Sequence, residues 1–541
     1  MARPLPPVPP LPFPLAPDAP MLRSPAALLR AALAPALLAL PLAAPAAAQA
    51  ELTWSDGVQG SLVTYELTGP AGQLYYLLPS VTPGPTPLAL FDPLDSRLLG
   101  VGLELVSFAK LGFLTPSATV NLPMPVFPSF VGLELRAQFV TINPTFSTPT
   151  LVDQVSNVAA FVMGGSGDVV GTRGPVLVPR QGHTATALAD GRVLVIGGDV
   201  PDGAGNLSAT ATTEFYDPQT QTFSAGPSLT QARSTHTATL LADGRVLVVG
   251  GYQVYGPGVA SATAEVYDPV TDSFTAVATP GLGRTLHTAT PLNDGRVLVV
   301  GGGSKFDLSD IFGSLATVTS STELYDPVAD AWSAGPPLSS PLFAHQASLL
   351  GDGRVLVSSG VEVASLFGVP VPGITSSCRR FDPSGTWLSA APVPAGRAYH
   401  GQIGLPTGGA MMLGGATGDF VGLTFTTHTD VYTYNHVSDA WTNAGDLAVG
   451  RAYPNLVDTG AGIAVVAGLK DVDITTGSGT PATEVETAAY NGVSWTTAGN
   501  QALPRETPRA VVVDGGKRVL IVGVGDNGLA TVDGTAEVFI P

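Results

Sequence analysis

From residue 180 to residue 541 the chain alternates short apolar runs with short polar turns, and the alternation itself repeats. One unit opens with His-Thr-Ala-Thr, passes an Asp-Gly pair, runs on through Arg-Val-Leu-Val and stops at Gly-Gly. Clear copies lie at 183–198, 236–251 and 287–302. The unit continues with Glu-x-Tyr-Asp-Pro and then a Phe or Trp. The His position is filled at 183, 236, 287, 345 and 400, and by Pro454 and Pro508 in the sixth and seventh copies. The Tyr or Phe position is filled at 216, 267, 325, 381, 434, 490 and 539. The unit therefore returns about every 54 residues, seven times, with the seventh copy cut short.

Each copy predicts four strands, A to D. The His-Thr-Ala-Thr run is strand A. Asp-Gly reads as a two-residue hairpin turn, because both positions tolerate positive φ. The Val-Leu-Val run is strand B, apolar throughout and so buried on both faces. Gly-Gly at its end lets backbones approach closely. Strand C carries the Tyr, Asp-Pro turns the chain, and strand D carries the aromatic residue. Four strands repeated seven times predict an all-β, seven-bladed propeller over residues 166–541. The seventh copy stops before its strand D, and residues 168–175 are expected to supply it, pairing two edges that would otherwise stay open. Residues 51–165 do not repeat. Their alternating runs (61–67, 73–78, 131–140, 157–163) predict a small antiparallel β-sandwich with an accessory role.

Composition sharpens this picture. Charged residues make up 12% of the 541, with 64 Gly and 49 Pro, as short strands joined by tight turns require. The formal net charge of −18 repels phosphate backbones and anionic membrane surfaces, so no nucleic-acid partner is expected. Cys378 is the single cysteine, which excludes an intramolecular disulfide and a Cys-based zinc site. Near the N-terminus, Arg23 and Arg30 precede the apolar stretch Ala31–Leu42, and Ala48 and Ala50 fit a cleavage site. Residues 1–50 thus read as an export signal, and a start at Met21 would shorten it to ordinary length. The expectation is a secreted, cell-surface or periplasmic monomer with no membrane insertion after signal removal.

Gly-Gly after strand B, Tyr-Asp-Pro on strand C, and an aromatic six or seven residues after the Tyr resemble the kelch-repeat family in its secreted bacterial form. The likeness covers roughly residues 168–541 and is cleanest in the first three copies; the fifth and sixth drift to Tyr434-Asn-His and Tyr490-Asn-Gly. It implies a kelch-type propeller, a fold that hosts binding scaffolds, sugar-acid isomerising enzymes and copper oxidases. The fold alone does not choose among them.

Candidate chemistry gathers on one face. The B–C connections (199–212, 252–262, 303–320, 361–377, 416–429, 469–483) are long and varied, which favours binding there. The D–A connections of the same face carry Arg180, Arg233, Arg284, Arg397, Arg451 and Arg505, with Leu342 breaking the series. These guanidinium groups could line the channel mouth and hold a carboxylate or other anion. Alternatively, each fixes its own blade by pairing with Glu214, Glu265, Glu323 or Glu537. Copper radical oxidases such as galactose oxidase belong to the same superfamily and use an Arg-x-Tyr-His run. Similarity to them implies Tyr399, His400 and Tyr453 as copper ligands, Cys378 as a cross-linked residue, and His428 or His436 as a further ligand. Cys378, however, falls on strand C of the fourth copy, not obviously beside Tyr453. Asp307, Asp310, Asp471 and Asp473 offer weaker calcium candidates. The reading that fits best is a non-catalytic scaffold without cofactor that recognises an extracellular protein or glycan. The alternatives are a sugar- or sugar-acid-acting enzyme and a copper radical oxidase.

Overall fold

The computed structural model describes residues 50–55, 62–88, 97–102, 105, 109–124, 131–142, 152–164, 166–201, 207–253, 256–307, 310–419, 424–472, 479–490, 494–501, 505, 508–523, 525–526, 532–533 and 536–541. The export signal over 1–50, Ala50 apart, and Asp473 lie outside these residues. No helix among the described residues is long and apolar enough to cross a membrane.

Among the described residues, seven four-stranded antiparallel sheets follow the copies read from the sequence. The first is Thr184–Ala187, Val193–Ile196, Thr213–Asp217 and Thr222–Ala225, paired in that order. Five more repeat this A-B-C-D order. The A strands of successive sheets touch one another in a closed cycle, the seventh meeting the first. The seventh sheet draws its outermost strand from the far end of the propeller sequence. Val169–Gly171 pairs antiparallel with Glu537–Phe539, Val169 opposite Phe539 and Gly171 opposite Glu537. The closure expected from the sequence is therefore present.

The packing explains why strand B is almost wholly apolar, Ser358 in the fourth copy and Arg518 at the start of the seventh being the exceptions. Its successive side chains point to opposite faces, and each face meets a neighbouring sheet. Val193 and Val195 pack with Leu520, Val522 and Val538 of the seventh sheet. Leu194 and Ile196 pack with Val246, Val248 and Tyr267 of the second. The same alternation carries the apolar core from sheet to sheet around the ring. Buried at 0–1% exposure, a strand B side chain contributes roughly 1.5–3 kcal/mol by leaving water. The outer aromatics fasten the rim. Trp332 donates its indole N–H to the Ala278 carbonyl at 2.7 Å, and Trp387 to the Pro336 carbonyl at 2.7 Å, each reaching back to the preceding copy.

One turn differs from the expectation. In the first A–B hairpin only Gly191 is left-handed, at φ 88°. Gly191 N–H donates to the Leu188 carbonyl, and Leu188 N–H to the Arg192 carbonyl. This is a longer loop closed by one left-handed glycine, not a two-residue turn. Asp190 is selected by its side chain, which accepts from the Arg192 backbone N–H at 3.0 Å and pairs with its guanidinium at 2.7 Å. In the seventh copy Asp514 and Gly515 are both left-handed, at φ 53° and 66°.

The chain divides into two compact units. The unit holding the propeller runs from Ala160 to Pro541 and takes in Trp54–Thr64 and Asn121–Leu135. Within it, Trp54 stacks on Phe161 with ring centroids 4.3 Å apart, and the Arg518 guanidinium lies 4.2 Å over the Trp54 ring. The other unit is built on strand Leu74–Ser80, which pairs with Lys110–Phe113 on one side and Glu134–Ile142 on the other. Leu74, Leu78, Leu99, Val140, Ile142 and Val152 form its core.

Candidate functional site

Gly-Gly at the end of strand B turns the chain sharply. Gly198 is left-handed at φ 97°, and a Cβ there would sit 2.6 Å from the Gln181 carbonyl oxygen and 2.9 Å from the His183 Cβ. Only glycine permits that approach. It brings the residue after strand B against the D–A connection, and the two join as Gln181–Asp199, Ser234–Tyr252, Thr285–Gly303, Ala398–Ala416 and Ala452–Leu469. A rim of left-handed residues sits just above. Gly182, Thr235, Leu286, Ala344, Tyr399 and Tyr453 occupy one equivalent place in successive copies, with φ between 52° and 64°. Thr235 N–H donates to the Gly182 carbonyl at 2.8 Å, Tyr399 N–H to Ala344 at 3.0 Å, and Tyr453 N–H to Tyr399 at 2.7 Å. Non-glycine residues held in this region carry strain that the surrounding fold must offset.

The six arginines are placed differently from a ligand-facing ring. Each is 0–1% exposed, beneath the rim. Arg233 donates to Glu265 at 2.6 Å and to the Gly250 carbonyl at 2.9 Å. Arg180 pairs with Glu214 at 2.6 Å, Arg284 with Glu323 at 2.6 Å, Arg397 with Asp430 at 2.8 Å and Arg505 with Glu537 at 3.2 Å. Arg451 pairs with Glu486. Glu265 also accepts the Thr230 backbone N–H at 2.6 Å. Arginine and carboxylate together tie the D–A connection to strand C. The expected anion-capturing mouth is corrected accordingly, because the blades already take these donors. The sequence signal for this was the matching Glu on strand C, two residues before the Tyr; Asp430 and Glu486 complete the set.

The histidines also serve the ring. His236 Nε2 meets Thr184 Oγ1 at 2.9 Å, His287 meets Thr237 at 3.0 Å and His345 meets Thr288 at 3.1 Å. His400 meets Ser358 Oγ at 3.0 Å. Each bond stitches one copy to the preceding one. Burial pushes the pKa of His287 and His345 down to about 3, so both rings are neutral at physiological pH.

Tyr399 and Tyr453 come together at the rim, part-exposed and stacked with centroids 4.3 Å apart and planes 29° apart. Cys378 does not join them. It is buried among Leu356, Val393, Ala410, Met412 and Tyr434, between the fourth and fifth sheets, and burial pushes its thiol pKa up to about 11. His428 contacts Thr417 and Asp430, while His400 is taken by Ser358. Among the described residues no three His, Cys, Asp or Glu side chains gather closely enough to hold a metal ion. This donor set does not fit copper. Asp310 caps the short helix Ile311–Leu315 and pairs with Lys305 at 2.6 Å, and Asp307 lies 3.6 Å from the same Lys305.

A rim feature that the sequence reading passed over is Asp199. It is 2% exposed, and its Oδ2 accepts from Ser234 Oγ at 2.7 Å and Tyr252 Oη at 2.6 Å. Burial raises its pKa, against the pull of those two hydroxyl donors.

The Kelch motif model matches residues 233–281, which span the second copy from Arg233 through strand D. The chain carries a kelch motif. The chain is 24% identical over 328 residues to Kelch-like protein terF of Aspergillus terreus, covering 58% of this chain and 64% of that protein. It is 28% identical over 166 residues to Kelch-like protein 33 of Homo sapiens, covering 30% and 28%. The chain thus spans less than two thirds of the length of either relative. Among solved structures, a fungal alcohol oxidase of the AA5 family, in complex with copper, shares the fold. Its TM-score is 0.51 at 18% identity, covering 69% of this chain and 76% of that one.

Proposed function

We propose that this protein is an exported, non-catalytic recognition scaffold that binds an extracellular protein or glycan through the B–C and D–A loops. The observation that carries the reading is the inequality of the two faces of the propeller. The A–B and C–D turns are short and alike. On the other face the B–C connections grow extra elements: the hairpins Asp199–Pro201/Leu207–Ala209 and Ala416–Asp419/Thr424–Thr427, the helix Ile311–Leu315, and the tall hairpin Val361–Leu366/Val369–Ile374. Variation placed on one side of a rigid repeat is how such folds present binding surfaces. The tall hairpin ends in Phe367, 98% exposed and left-handed at φ 53°, beside Leu366 at 58%. An aromatic left bare at a strained turn does nothing for the blade below it.

The test replaces Leu366 by Ser and Phe367 by Asn, a residue that tolerates positive φ. Labelled protein is applied to a glycan array and to intact cells. Binding should fall at least tenfold with the melting temperature unchanged. Binding that survives this change together with removal of the other loop hairpins would overturn the reading.

A further inference from the structure

Every other buried carboxylate described above at the ends of the blade strands has a guanidinium partner, from Glu214 with Arg180 round to Glu537 with Arg505. Asp199 breaks this rule. Its Oδ1 is buried and has no hydrogen-bond partner. Among the described residues no Lys, Arg or His pairs with it; only the Ser234 and Tyr252 hydroxyls reach it. An uncompensated buried carboxylate is costly, and a cation is its natural complement.

Its position is also singular. The corresponding residues of the following copies are Tyr252, Gly303, Val361, Ala416 and Leu469. The rim residue next to it is the part-exposed Gly182, where the other described copies carry a side chain. A Cβ at Gly182 would lie 2.4 Å from Ser234 Oγ and 3.6 Å from Asp199 Oδ2. The carboxylate therefore sits one layer beneath a bare patch of rim backbone. On the opposite arc the same rim carries the stacked Tyr399–Tyr453 pair.

We propose that the rim binds a glycan with free amino groups, Asp199 taking the ammonium of a hexosamine residue and the tyrosine pair stacking against a sugar ring. This rests on the loop-face scaffold reading and names the ligand class for that face. One carboxylate with two hydroxyls is too small a donor set for calcium, which takes six to eight oxygens. An ammonium needs few acceptors and suits one unpaired carboxylate. The part-exposed aromatic surface selects a ring with an apolar face over a bare amine.

Calorimetry with a glucosamine tetrasaccharide and its fully N-acetylated counterpart tests this. The amine form should bind at least tenfold more tightly. Asp199→Asn should bring the two affinities together while leaving the melting temperature in place, and Tyr399→Ala with Tyr453→Ala should weaken both ligands. If Asp199→Asn does not fold, the tyrosine variant and the preference of the unaltered protein decide. Equal affinities, no binding of either sugar, or a preference that survives Asp199→Asn would overturn the proposal. Asp199-dependent binding of a lysine-rich peptide in place of the sugar would overturn the glycan assignment. A partner that needs Phe367 but ignores Asp199→Asn would overturn this inference and leave the scaffold reading standing.

Discussion

At the scale of single residues, the arginine–carboxylate pair sets how each blade tolerates change. Removing one partner leaves the other buried and uncompensated, which costs about 3–5 kcal/mol. Arg233→Ala should therefore lower unfolding stability by about that much in a denaturant titration, because Glu265 would remain at 1% exposure without its 2.6 Å partner. Arg233→Met combined with Glu265→Leu should recover most of the loss; equal losses in the single and double variants would show that the charge pair is not the cause. The arginines were legible in the sequence as a series, and so was the choice between holding a ligand and holding the blade. What decided it was depth, which a one-dimensional pattern does not carry: a residue three places before a strand can point to the mouth or beneath it. Asp199 was missed for the opposite reason. It occurs once, and a search built on recurrence passes over the copy that departs from its neighbours.

At the scale of elements, periodicity carried nearly everything. Strand B was readable because a side chain packed between two sheets is nearly always apolar, so an apolar run marks it, with Ser358 of the fourth copy as an exception. The Asp-Gly turns were readable as turns, yet their type was not. Asp190 contributes a side-chain bond to Arg192 rather than a left-handed backbone, and composition cannot tell those roles apart. The extra hairpins had no sequence signature, because each differs from the next and none repeats. The strand Val169–Gly171 was predictable because the seventh copy lacks its fourth strand. Deleting residues 167–173 should leave Glu537–Phe539 as an open edge and lower the melting temperature of the whole propeller by several degrees. A deletion variant that melts like the intact chain would show that the pairing contributes nothing.

At the scale of the whole molecule, the buried histidines give the ring an acid limit. Burial moves His287 and His345 from an ordinary value of 6.5 to about 3 in the folded chain. Between those values the unfolded chain binds more protons than the folded one. Stability should be complete above pH 6.5 and drain away as pH falls toward 3. A melting series from pH 8 to pH 4 should show this decline, and His287→Asn should make it shallower; a flat profile would contradict it. The pairing of Val169 with Phe539 has a further consequence for biogenesis. The two strands are separated by nearly the full repeat array, so the last sheet is assembled only after residue 539 has left the ribosome. Until then the first and sixth sheets present unsatisfied flanks. The circle is thus a lock that shuts last, when the two ends of the array meet.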